Sequence, residues 1–249
     1  MPIDSPQVAL VTGAAHRLGA ATARHFHQRG FRVAIHYRSS GEAARALTAE
    51  LCQQRADSAL ALGAALGDVV ALESMAQGLL DHWGRLDVLI NNASVFYPTP
   101  VGTVNESQWN DLMDSNLKGP FFLSQACLPA LRENGGCIIN MVDIHGQRPL
   151  AGHSVYCIAK AGLAMLTESL AREAAPEVRV NGISPGAILW PDPNVTTGAA
   201  DEQQILAKVP LGRCGEPADI ASTAWFLATQ APYISGQIIA VDGGRSVVS

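Results

Sequence analysis

The chain has 249 residues, 48% of them hydrophobic and 16% charged, with a formal net charge of −5. That length suits one α/β domain spanning 1–249 better than two, and the apolar share supports a substantial core. The acidic balance offers no basic face for nucleic acid or an anionic membrane, and the polar start at residues 1–7 has the pattern of neither a signal peptide nor a span.

Short apolar runs then alternate with amphipathic stretches. Residues 7–12 (QVALVT), 31–36 (FRVAIH), 58–62, 86–90, 136–141 (GCIINM), 178–183 and 237–241 (QIIAV) read as strands apolar on both faces. Helices of roughly 12–20 residues are expected between them. Such βαβ alternation predicts an α/β fold: a doubly wound parallel sheet with helices on both faces and right-handed crossovers. One irregular stretch, 185–200, is rich in Pro, Gly and Thr, and a substrate loop is expected at about 185–210. The cofactor half is placed at about 1–150.

The first strand runs into Thr12-Gly-Ala-Ala-His-Arg-Leu-Gly19 and then an alanine-rich helix. Gly13 permits a tight turn, Gly19 lets the helix approach the strand, and free N–H groups at the helix start suit a pyrophosphate. The second strand ends in His36-Tyr37-Arg38-Ser39-Ser40. An NAD-selective site keeps a carboxylate there for the ribose 2′-hydroxyl; a guanidinium with two hydroxyls suits a 2′-phosphate, so NADPH is the expected cofactor. The fourth strand ends in Asn91-Asn92-Ala93-Ser94, amides that need partners in the backbone or a ligand.

The five cysteines are odd in number and form no C-x-x-C pair, which points to a reducing, cytoplasmic setting without disulfides. The seven histidines show no ligand spacing, so no metal is expected.

Tyr156-Cys-Ile-Ala-Lys160 puts a phenol and an ammonium on one helix face, where the positive charge would lower the phenol pKa toward working pH. Such a pair also arises on ordinary helices. Taken together, T-G-x-x-x-x-x-G, N-N-A-S, Asn116 in a helix, Y-x-x-x-K, Asn181-Gly-Ile-Ser-Pro185-Gly186 and Val241-Asp-Gly-Gly244 resemble the short-chain dehydrogenase/reductase family along essentially the whole chain. The resemblance implies a Rossmann-type domain, usually a homotetramer, with Tyr156 as acid/base, Lys160 on the ribose and Asn116 in a proton relay. It also implies cofactor contacts from Gly13, Arg17, Leu18, Gly19, the segment 36–40, Leu66, Asn92, Ala93, Ser94, Pro185, Gly186 and Ile188.

Four departures from the broad pattern stand out. Asp143 occupies the place of the usual serine, thirteen positions before the tyrosine; Arg17 replaces the middle glycine of the turn; N-N-A-S, with Phe96 beyond it, replaces N-N-A-G; and Leu66 replaces the acid that contacts adenine, with Asp68 nearby. The first three resemble the pteridine reductases. That resemblance implies reduction of pterins or folates, with Arg17, Ser94, Phe96, Asp143 and Tyr156 lining the pocket, Phe96 stacking on the pterin, and Trp190 and Pro191 forming an apolar wall. A carbonyl or 3-oxoacyl thioester reductase is the alternative, and a nucleotide-sensing protein without catalysis the second. Asp143 could instead cap the turn that follows it.

Overall fold

The seven apolar runs become seven parallel strands in a computed structural model that describes residues 5–188 and 199–248. In chain order the strands are β1 (Val8–Val11), β2 (Arg32–Tyr37), β3 (Ala59–Gly63), β4 (Val88–Asn91), β5 (Cys137–Met141), β6 (Arg179–Pro185) and β7 (Ile238–Val241). They form one sheet in the order β3-β2-β1-β4-β5-β6-β7, the doubly wound arrangement expected from the alternation.

The helices are α1 (Arg17–Gln28), α2 (Gly41–Gln54), α3 (Val69–Trp83), α4 (Glu106–Met113), α5 (Gly119–Glu133), α6 (Ser154–Glu173), α7 (Ala199–Leu206) and α8 (Pro217–Thr229). Because side chains alternate along a strand, β1 serves two cores. Ala9 and Val11 pack with Phe26 of α1, Leu47 of α2 and Leu227 of α8. Val8 and Leu10 pack with Leu79 of α3 and Leu123 of α5. A sheet covered on both faces needs strands without a polar side, which is why the runs read as continuously apolar.

Three expectations are adjusted. The fourth strand begins at Val88 rather than at 86, because the buried Asp87 carboxylate accepts the Val8 N–H at 2.7 Å and pairs with Arg85. Helices α4 and α7 have only eight residues each, below the expected lengths. Helix α4 runs straight into a π turn, Asp114–Lys118. The expected irregular stretch 185–200 overlaps regular elements at both ends: β6 extends to Pro185, and α7 starts at Ala199. Among the described residues no helix is long and apolar enough to cross a membrane. None of their His, Cys, Asp and Glu side chains form a group that could hold a metal ion.

Candidate active site

The glycine-rich turn sits where β1 leaves the sheet between β2 and β4. Gly13 has φ +62°, and a Cβ there would meet Ala93 Cα at 2.9 Å. A Cβ on Gly19 would strike the Gly13 carbonyl and come within 2.7 Å of Asn92 Nδ2. Both positions therefore exclude side chains, leaving the main chain exposed to a ligand. Arg17 stands at φ +51°, a region that costs a non-glycine residue about 1–2 kcal/mol. The broad family's glycine at this place has a backbone reason.

Side-chain amides brace the turn. The Thr12 hydroxyl accepts the N–H groups of Asn92 and Ala93 at 2.9 Å, and Asn92 Nδ2 donates to the Thr12 carbonyl at 2.8 Å. Asn91 donates to Asn140 at 2.9 Å, which donates to Thr167 at 2.9 Å. The amides at the end of β4 thus spend their N–H groups within the protein, while the buried Asn91 Oδ1 has no hydrogen-bond partner. His36 is committed in the same way: Nδ1 accepts the Gly13 N–H and Nε2 bonds the Ala64 carbonyl, each at 3.1 Å. Burial pulls its pKa down, against the pull of the Ala64 bond.

Above the turn lies a cavity of about 340 Å³. It brings together Gly13, Arg17, Leu18, Gly19, His36, Tyr37, Arg38, Ser39, Ser40, Leu66, Asn92, Ala93 and Ser94 from the expected set. It adds Ala15, His16, Val95 and Ser115, each within two positions of a residue the motifs single out. No Asp or Glu is among its described lining residues. Asp68 is elsewhere: its carboxylate caps α3 by accepting the Ala71 N–H at 3.1 Å. A groove of main-chain donors, two guanidinium groups and several hydroxyls, free of carboxylates, fits a dinucleotide carrying a 2′-phosphate. Arg38 meets a carboxylate from outside the groove, Asp111 of α4, at 3.0 Å. No motif in the sequence marks Asp111.

Beside the groove, at the ends of β4 and β5, titratable groups converge. Tyr156, in the first turn of α6, donates its hydroxyl to Asp143 Oδ2 at 2.7 Å. Asp143 Oδ1 accepts the His145 N–H at 2.8 Å, so this residue both caps the short turn and faces the phenol. Lys160, wholly buried, donates to the Met141 carbonyl at 2.7 Å and lies 5.6 Å from the Tyr156 ring centre. The π turn buries Asn116, whose Nδ2 donates to the Val95 and Leu112 carbonyls at 2.9 Å and whose Oδ1 accepts the Ser94 hydroxyl at 2.6 Å.

The electrostatics differ from the expectation that Lys160 lowers the phenol pKa. Burial raises the Tyr156 pKa well above the phenol range, the Asp143 carboxylate adds to the rise, and a hydrogen bond with Ser94 opposes it. Burial lowers Lys160 to about 8, opposed by the charge of Asp143. The phenol is thus protonated at neutral pH, the form able to give a proton.

Other expected residues are placed differently. Phe96 is 54% exposed, stacks on His153 with ring centres 4.6 Å apart, and sets its edge against Tyr156 at 4.8 Å. One face of the expected stacking platform is therefore taken by His153. Ile188 lines a separate cavity with Asp242 and Val247, and Gly186 packs against Asp242. Pro185 ends β6. Trp190 and Pro191 lie outside the described residues.

The family model described as enoyl-(acyl carrier protein) reductase matches residues 13–246. The 3-oxoacyl-[acyl-carrier-protein] reductase FabG of Staphylococcus aureus strain N315 is 38% identical over 241 residues, covering 95% of this chain and 96% of its own. A 3-oxoacyl-[acyl-carrier-protein] reductase of Synechocystis is 36% identical over 242 residues, covering 96% of both chains. Pteridine reductase 1 of Leishmania tarentolae is 37% identical over 281 aligned positions, covering 96% of both chains. That last alignment has more positions than this chain has residues, so it contains insertions relative to this chain; the others do not exceed the chain's length. The expected reduction of pterins is corrected accordingly: the highest identity of these three, 38%, is to a 3-oxoacyl reductase, which favours the alternative.

Proposed function

The chain belongs to the short-chain dehydrogenase/reductase family, and on that premise we propose that it is an NADPH-dependent carbonyl reductase acting on 3-oxoacyl thioesters. As a family oxidoreductase it works with NAD(P)H on a small molecule; the 2′-phosphate form and the thioester are the proposal. One observation carries it. The protonated Tyr156 hydroxyl stands with Asp143, Ser94 and buried Lys160 beside a groove whose described lining holds Arg17 and Arg38 but no carboxylate.

Bound NADPH supplies the hydride that reaches the carbonyl carbon. This chain's residues supply the proton and the orientation. Tyr156 gives its hydroxyl proton to the carbonyl oxygen as negative charge develops there. The Lys160 ammonium stabilises the phenolate left behind and holds the ribose. A carboxylate at 143 accepts hydrogen bonds rather than giving them, and the Ser94 hydroxyl gives its one proton to Asn116, so the donor that steadies the carbonyl oxygen is assigned to Tyr156 itself. Asp143 holds the phenol in place and returns a proton to it from solvent. Arg38, Ser39 and Ser40 take the 2′-phosphate. Phe96 and His153 form the aromatic wall for the acyl group. The exposed Phe121 of α5 and Met165 of α6, which flank a cavity of about 590 Å³, support assembly into a homotetramer, and the free cysteines support a cytoplasmic setting.

The test follows NADPH oxidation with an acetoacetyl thioester, a simple ketone and a dihydropterin. Turnover of the thioester is expected. Turnover of the dihydropterin with none of either carbonyl compound would overturn the reading.

A further inference from the structure

Arg38 has two neighbourhoods. It lines the dinucleotide groove at the end of β2, and its Nη1 donates to Asp111 Oδ1 of α4 at 3.0 Å, across 73 residues of sequence. Asp111 is carried on a well-anchored element. Asn105 and Gln108 form a capping box at the start of α4, and Tyr97 donates its hydroxyl to the Gln108 carbonyl at 3.2 Å. Asp111 also faces that phenol, whose pKa is raised by burial first and by the carboxylate second. The carboxylate therefore cannot retreat far while α4 keeps its place.

We propose that Asp111 is a specificity-determining residue of the cofactor groove: it holds the guanidinium that the 2′-phosphate needs, and so limits the preference for NADPH over NADH. This rests on the proposed reading in which Arg38 receives that phosphate. A dianionic phosphate on one edge of a guanidinium and a carboxylate on the other share a single positive charge and repel each other. Both side chains are partly open to solvent, 53% for Arg38 and 38% for Asp111, so water and salt moderate the repulsion. NADH brings a hydroxyl to the same place and feels almost none of it. Asp111 therefore acts on the choice between the two cofactors rather than on dinucleotide binding as such.

The experiment measures dissociation constants for NADPH and NADH by cofactor fluorescence, at low salt and in 1 M NaCl. It uses the unaltered protein, Asp111→Asn, Arg38→Ala and the double variant. Asp111→Asn is expected to tighten NADPH by about three- to tenfold at low salt and to change NADH less than about twofold. The gain shrinks in 1 M NaCl and is largely lost on the Arg38→Ala background, outcomes that a merely structural role for Asp111 does not produce. An Asp111→Asn protein that binds NADPH no more tightly overturns the proposal. Should Arg38→Ala leave the ratio of the two affinities unchanged, the NADP reading itself fails, and this inference falls with it.

Discussion

The cofactor end and the reaction end of this site are built on different principles. At the cofactor end, main chain does the work: Gly13 and Gly19 clear space, and Thr12, Asn92 and His36 fix the turn through bonds that involve the backbone. At the reaction end, the groups are side chains from the end of β4, the π turn, the end of β5 and the start of α6, meeting at Tyr156 and Ser94. A main-chain site is rigid and tolerates few changes; a side-chain site keeps its geometry while its chemistry shifts.

The largest test separates the two ends. Tyr156→Phe should lower kcat by a factor of about 10²–10⁴, the usual worth of a general acid, while the NADPH dissociation constant moves less than about threefold. Steady-state kinetics with a fluorescence titration reads both. Comparable losses in binding and turnover would mean that the ends are not separable at this residue.

Gly19→Ala attacks the other end. The added methyl meets the Gly13 carbonyl and Ala14 Cα, and since the neighbours are backbone the helix must move. The expected loss is about 1–3 kcal/mol of stability, read by denaturant unfolding, together with weaker NADPH binding. Unchanged stability and affinity would show the approach of α1 to be looser than described.

The smallest effect belongs to Lys160, which joins the two ends. Its pKa, lowered to about 8 by burial, means that the ammonium is present below that pH and lost above it. If it holds the ribose, NADPH affinity should fall a few-fold as pH rises from 7 to 9, and Lys160→Met should flatten that slope. A slope that survives the substitution belongs to another group.

The same contrast explains what was legible in the sequence. All seven strands and the groove's turn were readable, because β-strands buried on both faces and glycines at fixed spacing leave local signals. The substrate was not. Arg17, Ser94, Phe96 and Asp143 pointed toward pterins, yet within this chain these residues have partners of their own: Ser94 bonds Asn116, Phe96 stacks on His153, and Asp143 caps a turn while meeting Tyr156. A residue type at a motif position reports an environment, and one environment serves more than one flat or carbonyl-bearing ligand. Asp111 left no signal because its partner is 73 residues away.

The place of β1 in the sheet bears on how the chain acquires this site during synthesis. One edge of β1 pairs with β2 and the other with β4, with Ala9 beside Val88 and Val11 beside Ile90. On a ribosome, β1 meets β2 early, but its second edge stays open until β4 has left the exit tunnel, and only then do Asn92 and Ala93 reach the Thr12 hydroxyl. The nucleotide turn is among the first segments made and must wait for a later one to be finished. Throughout that interval the nascent chain presents an apolar strand edge that can pair with other chains, the period in which a chaperone would matter most.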